Sequence, residues 1–200
     1  MTNKNKIILD LCGGTGSWSK PYRDAGYDVR VITLPETDVL TYEPPENVYG
    51  IFAAPPCTHF SIACNRLWKD KDQDGRTIEG LTVLIACLRI IAYSKPTFWA
   101  LENPVGRMKR FLGKEPDYKF LACDFGWPTK KKTYIWGRFE KPQRQYVKLE
   151  KIYKVEEIDY LAKELFVEFP HLVKTDHSKR AAIRSITPPG FAQAFFEANQ

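Results

Sequence analysis

Gly50-Ile51-Phe52-Ala53-Ala54-Pro55-Pro56-Cys57-Thr58-His59-Phe60-Ser61 is an apolar run of strand character that ends in two prolines, with a cysteine directly behind them. Proline has no amide hydrogen and a fixed φ, so Pro55 and Pro56 stop a strand ladder and stiffen the backbone as it leaves the sheet. Cys57 is therefore expected at the carboxyl end of a strand, where open α/β sheets place ligands and chemistry. A thiol there reads either as a small buried hydrophobe or as a nucleophile. The rest of the chain decides between them.

Upstream, Lys6 to Asp10 reads as a short buried strand, followed by the turn Leu11-Cys12-Gly13-Gly14-Thr15-Gly16-Ser17-Trp18. A helix from Pro21 to Ala25 is bracketed by its early proline and by Gly26, and a second strand runs from Tyr27 to Leu34. Strand, glycine-rich turn, helix and strand open a doubly wound, mostly parallel α/β sheet with helices on both faces. The turn is not a P-loop, because no Gly-Lys-Ser/Thr closes it. Nor is it the dinucleotide fingerprint, since Trp18 and Ser19 stand where the third glycine belongs. An adenosine-type cofactor loop and a plain structural turn both remain open.

Downstream, Val48 to Ala53 is the strand that delivers Cys57, and the polar stretch from Ser61 to Gly80 has the length of a lid loop. Asp70 to Gly75 imitates half of a calcium loop, but Leu81 occupies the twelfth position, where a bidentate Glu is required. Ile78 to Ser94 is apolar nearly all round and reads as a core helix. Phe98 to Leu101 is a buried strand, and Glu102-Asn103-Pro104 behind it is either a helix start or a strand-end acid. Tyr118 to Asp124 and Lys132 to Gly137 read as strands, joined by Phe125 to Lys131, with Lys130, Lys131 and Lys132 as a charge run at the end of that connection. One amphipathic helix is expected from Val155 to Phe166. Ser185-Ile186-Thr187-Pro188-Pro189-Gly190 leads into a terminal helix, Phe191 to Ala198.

Two hundred residues make one ordinary domain, with hydrophobic and charged shares (44% and 27%) in the globular range. No run of about 18 apolar residues is present, so no membrane span is expected. Met1-Thr2-Asn3-Lys4 leads into a strand rather than a signal-peptide hydrophobic region. Five scattered cysteines, an odd number, suit reduced thiols in a cytoplasm. A net charge of +6 and a pI near 9.0 permit a polyanionic partner.

Taken in order, these stretches resemble the DNA cytosine-5 methyltransferases. Leu9 to Gly16 is similar to that family's S-adenosyl-L-methionine loop, and Pro55-Pro56-Cys57-Thr58-His59-Phe60-Ser61 to its Pro-Pro-Cys-Gln-x-Phe-Ser motif. Glu102-Asn103-Pro104 resembles its Glu-Asn-Val, and Ser185 to Ala192 its last motif, which returns to the cofactor pocket. The resemblance covers residues 7 to 137 and 183 to 197. It implies a catalytic domain formed by 1–137 and 183–200, interrupted by a short insertion at 138–182.

What the resemblance implies chemically is specific. Carbon 5 of cytosine is a poor nucleophile, and a thiolate adding at carbon 6 gives carbon 5 enamine character. Cys57 matches the attacking thiol, and Glu102 the acid that relieves charge at nitrogen 3. The matching cofactor contacts are Asp10, Leu11, Cys12, Gly13, Gly14, Thr15, Gly16, the aromatic Trp18, Asp38 for the adenine, Pro55 and Ser185. The family's Gln-x-Arg-x-Arg motif appears as Thr129-Lys130-Lys131-Lys132-Thr133, with Lys130 and Lys132 matching the two arginines. The acid expected after the second strand is missing, Thr33-Leu34-Pro35 standing there with Glu36 nearby.

The implied partner is duplex DNA with its target cytosine flipped out. Residues 138 to 179 are far shorter than the family's target-recognition domain, so the expected specificity is relaxed, very short or conferred by a partner chain. The compact form suggests a phage or prophage enzyme, of the kind found in restriction-modification, acting in the cytoplasm of a bacterial or infected host cell. Two other readings remain: the same chemistry on RNA or a free pyrimidine nucleotide, and a degenerate cofactor- or DNA-binding subunit. Cys57, His59 and Cys64 are metal ligands by residue type, but their spacing is poor for zinc and no metal is expected.

Overall fold

The structure, a computed structural model, describes residues 3–144, 148–152 and 185–200. Six strands form one sheet: β1 (Ile7–Leu11), β2 (Asp28–Ile32), β3 (Val48–Ala53), β4 (Phe98–Pro104), β5 (Tyr118–Leu121) and β6 (Lys132–Arg138). Their spatial order is β2-β1-β3-β4-β6-β5. The first four are parallel, and β6 runs antiparallel to both β4 and β5. β1 and β3 are buried along nearly their whole length, as strands covered on both faces must be.

The strand period of two divides the core. Leu9, Leu11, Ile51, Ala53 and Leu101 face α3 (Arg76–Ser94), meeting Leu84, Cys87 and Ile90. Ile8, Phe52, Phe98, Ala100 and Ile135 face the opposite way. There they meet Tyr22 of α1 (Lys20–Asp24) and Phe191 and Phe195 of the terminal helix, α5 (Pro189–Ala198). The expected doubly wound architecture is present. α3 is long and apolar enough to cross a bilayer by length and composition. In this fold it is the crossover between the adjacent parallel strands β3 and β4, packed on the sheet.

Several boundaries differ from expectation. β2 is shorter than Tyr27–Leu34, and β5 ends at Leu121, after which Ala122 to Phe125 form a tight helical turn. β4 continues through Glu102-Asn103-Pro104, so the helix-start reading of that motif fails. Beyond Leu101 only β6 still pairs with β4, and a proline is tolerated where no neighbour on the other side needs its missing donor. Ser61 to Gly80 is not an open loop. It contains a helical turn (Ile62–Leu67), the helix α2 (Trp68–Gln73) and the start of α3. The last helix before β5 is α4 (Met108–Leu112). The helix expected at Val155–Phe166 and most of the proposed insertion lie outside the described residues.

Close packing of β3 on β4 requires Gly50, because a Cβ there would lie 2.2 Å from the Phe98 ring. Gly50→Ala is expected to destabilise the protein by about 1–3 kcal/mol through overpacking, read as a lowered urea midpoint with an unchanged slope.

Candidate active site

The chain leaves β1 towards β2 on one side and returns to β3 on the other. That reversal opens a crevice beyond the carboxyl ends of β1 and β3, the position at which open α/β sheets bind ligands. β1 ends in the glycine-rich turn, and β3 ends in Pro55-Pro56-Cys57. Beyond the ladder the two exits stay joined, since the Ala54 amide donates to the Leu11 carbonyl at 2.9 Å. Strand topology therefore brings the two leading motifs together.

Asp10 is 1% exposed and accepts a hydrogen bond from the Ser19 hydroxyl at 2.6 Å. Burial pushes its carboxyl up to about 6, against the Ser19 hydrogen bond and the Arg23 charge, which pull it down. The turn wraps this carboxylate so tightly that a Cβ on Gly13 would sit 2.4 Å from it. Gly14, at φ +53°, instead faces open space. Its bare backbone can be approached closely, as an adenosyl group requires. The return segment docks here as well, the Thr187 amide donating to the Ser17 hydroxyl at 3.0 Å. These residues fit S-adenosyl-L-methionine.

The other expected cofactor residues divide by placement. Leu11 is fully buried and Thr15 nearly so, the Thr15 hydroxyl accepting from the Ser17 amide. Cys12 (φ +56°) turns its thiol towards Cys87 on α3. Gly16 (φ +66°) closes the turn. Asp38 is half-buried, and one of its oxygens accepts from the Leu40 amide at 2.9 Å, capping the turn after β2. Pro55 is buried and Ser185 is exposed, two residues ahead of the docked Thr187. Trp18 lies deeper than the loop. It is 3% exposed, with its ring 4.6 Å from Phe52 and against Phe191 and Phe195, and so packs in the core beneath the loop.

Cys57 opens a single helical turn immediately after Pro56. Glu102 projects from the adjacent strand β4. Between them the buried Asn103 amide donates to the Pro55 carbonyl at 3.0 Å, so thiol and carboxyl are set by one clasp. Burial, and then the charge of Glu102, push the Cys57 thiol up, while Lys131 opposes them. Burial likewise raises Glu102, again against Lys131. The Lys131 ammonium lies 3.8 Å from a Glu102 oxygen, in a pair whose side chains are less than one-fifth exposed.

Lys131 replaces the two lysines expected from the motif. Antiparallel register sets Glu102 opposite Ile135. Counting back from Ile135 by the strand period of two puts Lys131 on Glu102's face, with Lys130 and Lys132 on the other. Those two are exposed, and the Lys132 ammonium lies 5.8 Å from the Tyr134 ring. Parity along β6, once paired with β4, is the signal that identifies Lys131. Asn103 was visible in the sequence only as a motif member. Among the described residues no three His, Cys, Asp or Glu side chains gather as a metal site.

Sheet order, an open glycine turn at the switch point and a thiol–carboxyl pair on adjacent strand ends define a Rossmann-like methyltransferase. The comparisons narrow the class. The chain is 30% identical over 154 residues to the "Probable DNA (cytosine-5)-methyltransferase" of Frog virus 3 (isolate Goorha), covering 66% of this chain and 71% of that protein. It therefore belongs to the DNA (cytosine-5)-methyltransferase family, whose methyl donor is S-adenosyl-L-methionine. It is also 26% identical over 187 residues to the type II methyltransferase M.DdeI of Desulfomicrobium norvegicum, covering 70% of this chain but only 42% of that one. A solved structure assigned as a DNA modification methyltransferase encoded within an E. coli prophage shares 21% identity (TM-score 0.43, 66% of this chain, 46% of the other). The DhpI–SAM–HEP complex shares 12% (TM-score 0.26, 81% and 69%). No family model matches the chain.

The raised Asp10 pKa has a stability consequence. Folded Asp10 holds its proton more tightly than unfolded Asp10, so its own contribution to stability is fully present below about pH 4 and is lost as pH rises to about 6. The full shift is worth at most about 3 kcal/mol. Asp10→Asn is expected to remove that part of the pH dependence and to raise the melting temperature of the ligand-free protein at neutral pH. Thermal melts across the acid-to-neutral range measure both.

Proposed function

We propose that the chain transfers a methyl group from S-adenosyl-L-methionine to carbon 5 of cytosine in DNA, through a covalent bond between Cys57 and carbon 6. The observation that carries this reading is the clasp of the Asn103 amide on the Pro55 carbonyl, 3.0 Å, with Cys57 and Glu102 on either side of it. The bound donor supplies an electrophilic methyl group on a sulfonium. Everything else falls to this chain's side chains.

The Cys57 thiolate adds to carbon 6; the S–C bond forms and the ring's electron pair moves to carbon 5. Glu102, whose burial favours the protonated carboxyl against the pull of Lys131, gives its proton or a hydrogen bond to nitrogen 3 and so absorbs the charge that the addition delivers. Carbon 5 takes the methyl group as the donor's sulfur–methyl bond breaks and a neutral thioether departs, and the carbon 5 proton is then lost to solvent. The S–C bond then breaks, returning Cys57 and an aromatic 5-methylcytosine. Burial keeps Cys57 a thiol at rest, and Lys131 is the cation that favours its ionised form. In a duplex the base must leave the stack to reach this thiol, which stands at a strand end beyond the crevice.

A short connection between β6 and residue 185 supports relaxed or very short sequence specificity, since about 45 residues hardly hold a base-reading module. A partner chain is the alternative source of specificity. The exposed Lys130 and Lys132 suit phosphate contacts, which bind without reading sequence.

The test supplies labelled donor with duplex DNA, single-stranded DNA, RNA or dCMP, followed by nucleoside mass spectrometry. 5-Methylcytosine in duplex DNA is expected, and its absence from every substrate overturns the reading; product confined to RNA or dCMP transfers the chemistry to that substrate. Cys57→Ala is expected to abolish both turnover and the adduct with 5-fluorocytosine DNA. Lys131→Ala is expected to lower kcat by about 10–100-fold. Lys130→Ala and Lys132→Ala should instead weaken DNA binding and flatten its salt dependence, with kcat within about twofold.

A further inference from the structure

The turn that carries Cys57 is gripped from behind by two buried cations that belong to none of the motifs. Lys71, on α2, is 7% exposed, and its ammonium donates to the Thr58 carbonyl at 2.6 Å. Arg107, behind β4, is 6% exposed. Its Nε donates to the His59 carbonyl at 2.9 Å, and its own amide to the Phe60 carbonyl at 2.8 Å. Three successive carbonyls after the thiol are thereby claimed by donors from this buttress. The Cys57 carbonyl is taken by the amides of Phe60 and Ser61.

The remaining donors of Arg107 point away from the turn. Nη1 meets both carboxylate oxygens of Asp72 at 2.8 and 2.9 Å, and Nη2 donates to the Thr77 hydroxyl at 2.9 Å. Thr77 in turn donates to Asp72 at 2.6 Å. The guanidinium lies 5.0 Å from the Trp68 ring and 5.5 Å from that of Phe111. Two glycines admit this packing. A Cβ on Gly106 would lie 2.0 Å from the Phe60 carbonyl oxygen, and one on Gly80 2.7 Å from the His59 ring.

We propose that Arg107, clipped by Asp72, is a positioning residue for Cys57: it couples the segment from Ser61 to Gly80 to the nucleophile turn and so fixes where the thiol stands against Glu102. This rests on the methyltransferase reading for its catalytic consequence, but not for its geometric one. Loosening the turn should carry the thiol towards water and away from Glu102. Its ionisation becomes easier while its attack on a bound base becomes slower. The charged and titratable groups facing Cys57 are Glu102 from β4, Lys131 ahead of β6 and Cys64 in the following turn.

The experiment compares wild type, Arg107→Ala, Arg107→Lys and Asp72→Asn in three measurements. The first is Cys57 alkylation by iodoacetamide across pH, followed by peptide mass spectrometry. The second is calorimetric binding of S-adenosyl-L-methionine, and the third is steady-state methylation of duplex DNA. Arg107→Ala is expected to lower the pH midpoint of alkylation and to lower kcat by about tenfold or more, with donor affinity unchanged. Arg107→Lys, which keeps the charge but not the fork, should recover part of the alkylation midpoint. An unchanged midpoint and unchanged kcat in Arg107→Ala overturn the proposal. If that variant does not fold, the same pair of readouts in Asp72→Asn decides. A wild type that methylates nothing would overturn the proposed function, while the alkylation profiles would still decide the positioning.

Discussion

The hydrogen bond from the buried Asn103 amide to the Pro55 carbonyl is the contact on which the site's geometry depends. Pro55 and Pro56 have ended the β3 ladder, so backbone pairing no longer holds the chain at the point where the nucleophile is presented. A side chain from the neighbouring strand takes over that task. Because Asn103 directly follows Glu102 on β4, the contact that orients the thiol's turn also fixes the strand end bearing the acid. One buried amide therefore sets the relative position of two groups from different strands.

The electrostatics of the pair follow from the same placement. Two acidic groups stand on adjacent strand ends, both largely withdrawn from water, and the charge of Glu102 adds to burial in making Cys57 harder to ionise. Both are therefore biased towards the protonated form, which suits Glu102 as an acid but not Cys57 as a nucleophile. Lys131 resolves the conflict, since an ammonium close to both lowers the cost of whichever group ionises. A single cation shared between two acids permits one negative charge at a time. That is what an addition step requires when a thiolate forms on one side and a proton is held on the other.

The parts of this fold that were legible in the sequence are those whose meaning is local. The apolar run ending in Pro55-Pro56, the glycine turn after Asp10 and the helix ending before Pro96 each carry their signal within a few residues. Their structures agree with the reading. Misreadings arose where the deciding partner is distant. Lys131 could be told from Lys130 and Lys132 only by knowing that β6 pairs antiparallel to β4 in the register that sets Glu102 against Ile135. Trp18 stood at the position of a cofactor aromatic. Its ring is instead captured by Phe52, Phe191 and Phe195, two of which come from the far end of the chain. The stretch from Ser61 to Gly80 looked like a loop because its polar residues were read as solvated, when Lys71 and Asp72 have buried or paired destinations.

Those destinations raise a question of energy. Burying an arginine and a lysine costs several kcal/mol each before any partner is counted, and apolar side chains of similar size often serve stability as well or better. The backbone supplies the reason they are present. After two prolines the chain turns sharply, and the carbonyls of Thr58 and His59 meet side-chain donors where a strand would have offered amides. Unpaired buried carbonyls are unaffordable, and water admitted to satisfy them would loosen the turn beside the thiol. The Arg107 amide meets the Phe60 carbonyl, and long cationic side chains cross from α2 and from behind β4 to meet those of Thr58 and His59. Arg107's planar fork additionally reaches Asp72 and Thr77 without moving the donor that it gives to His59. The charge is tolerated because Asp72 is half exposed and shares it with solvent. The proline pair that presents Cys57 thus creates the need for a buttress, and the buttress makes the position of the thiol depend on a segment that carries no catalytic group.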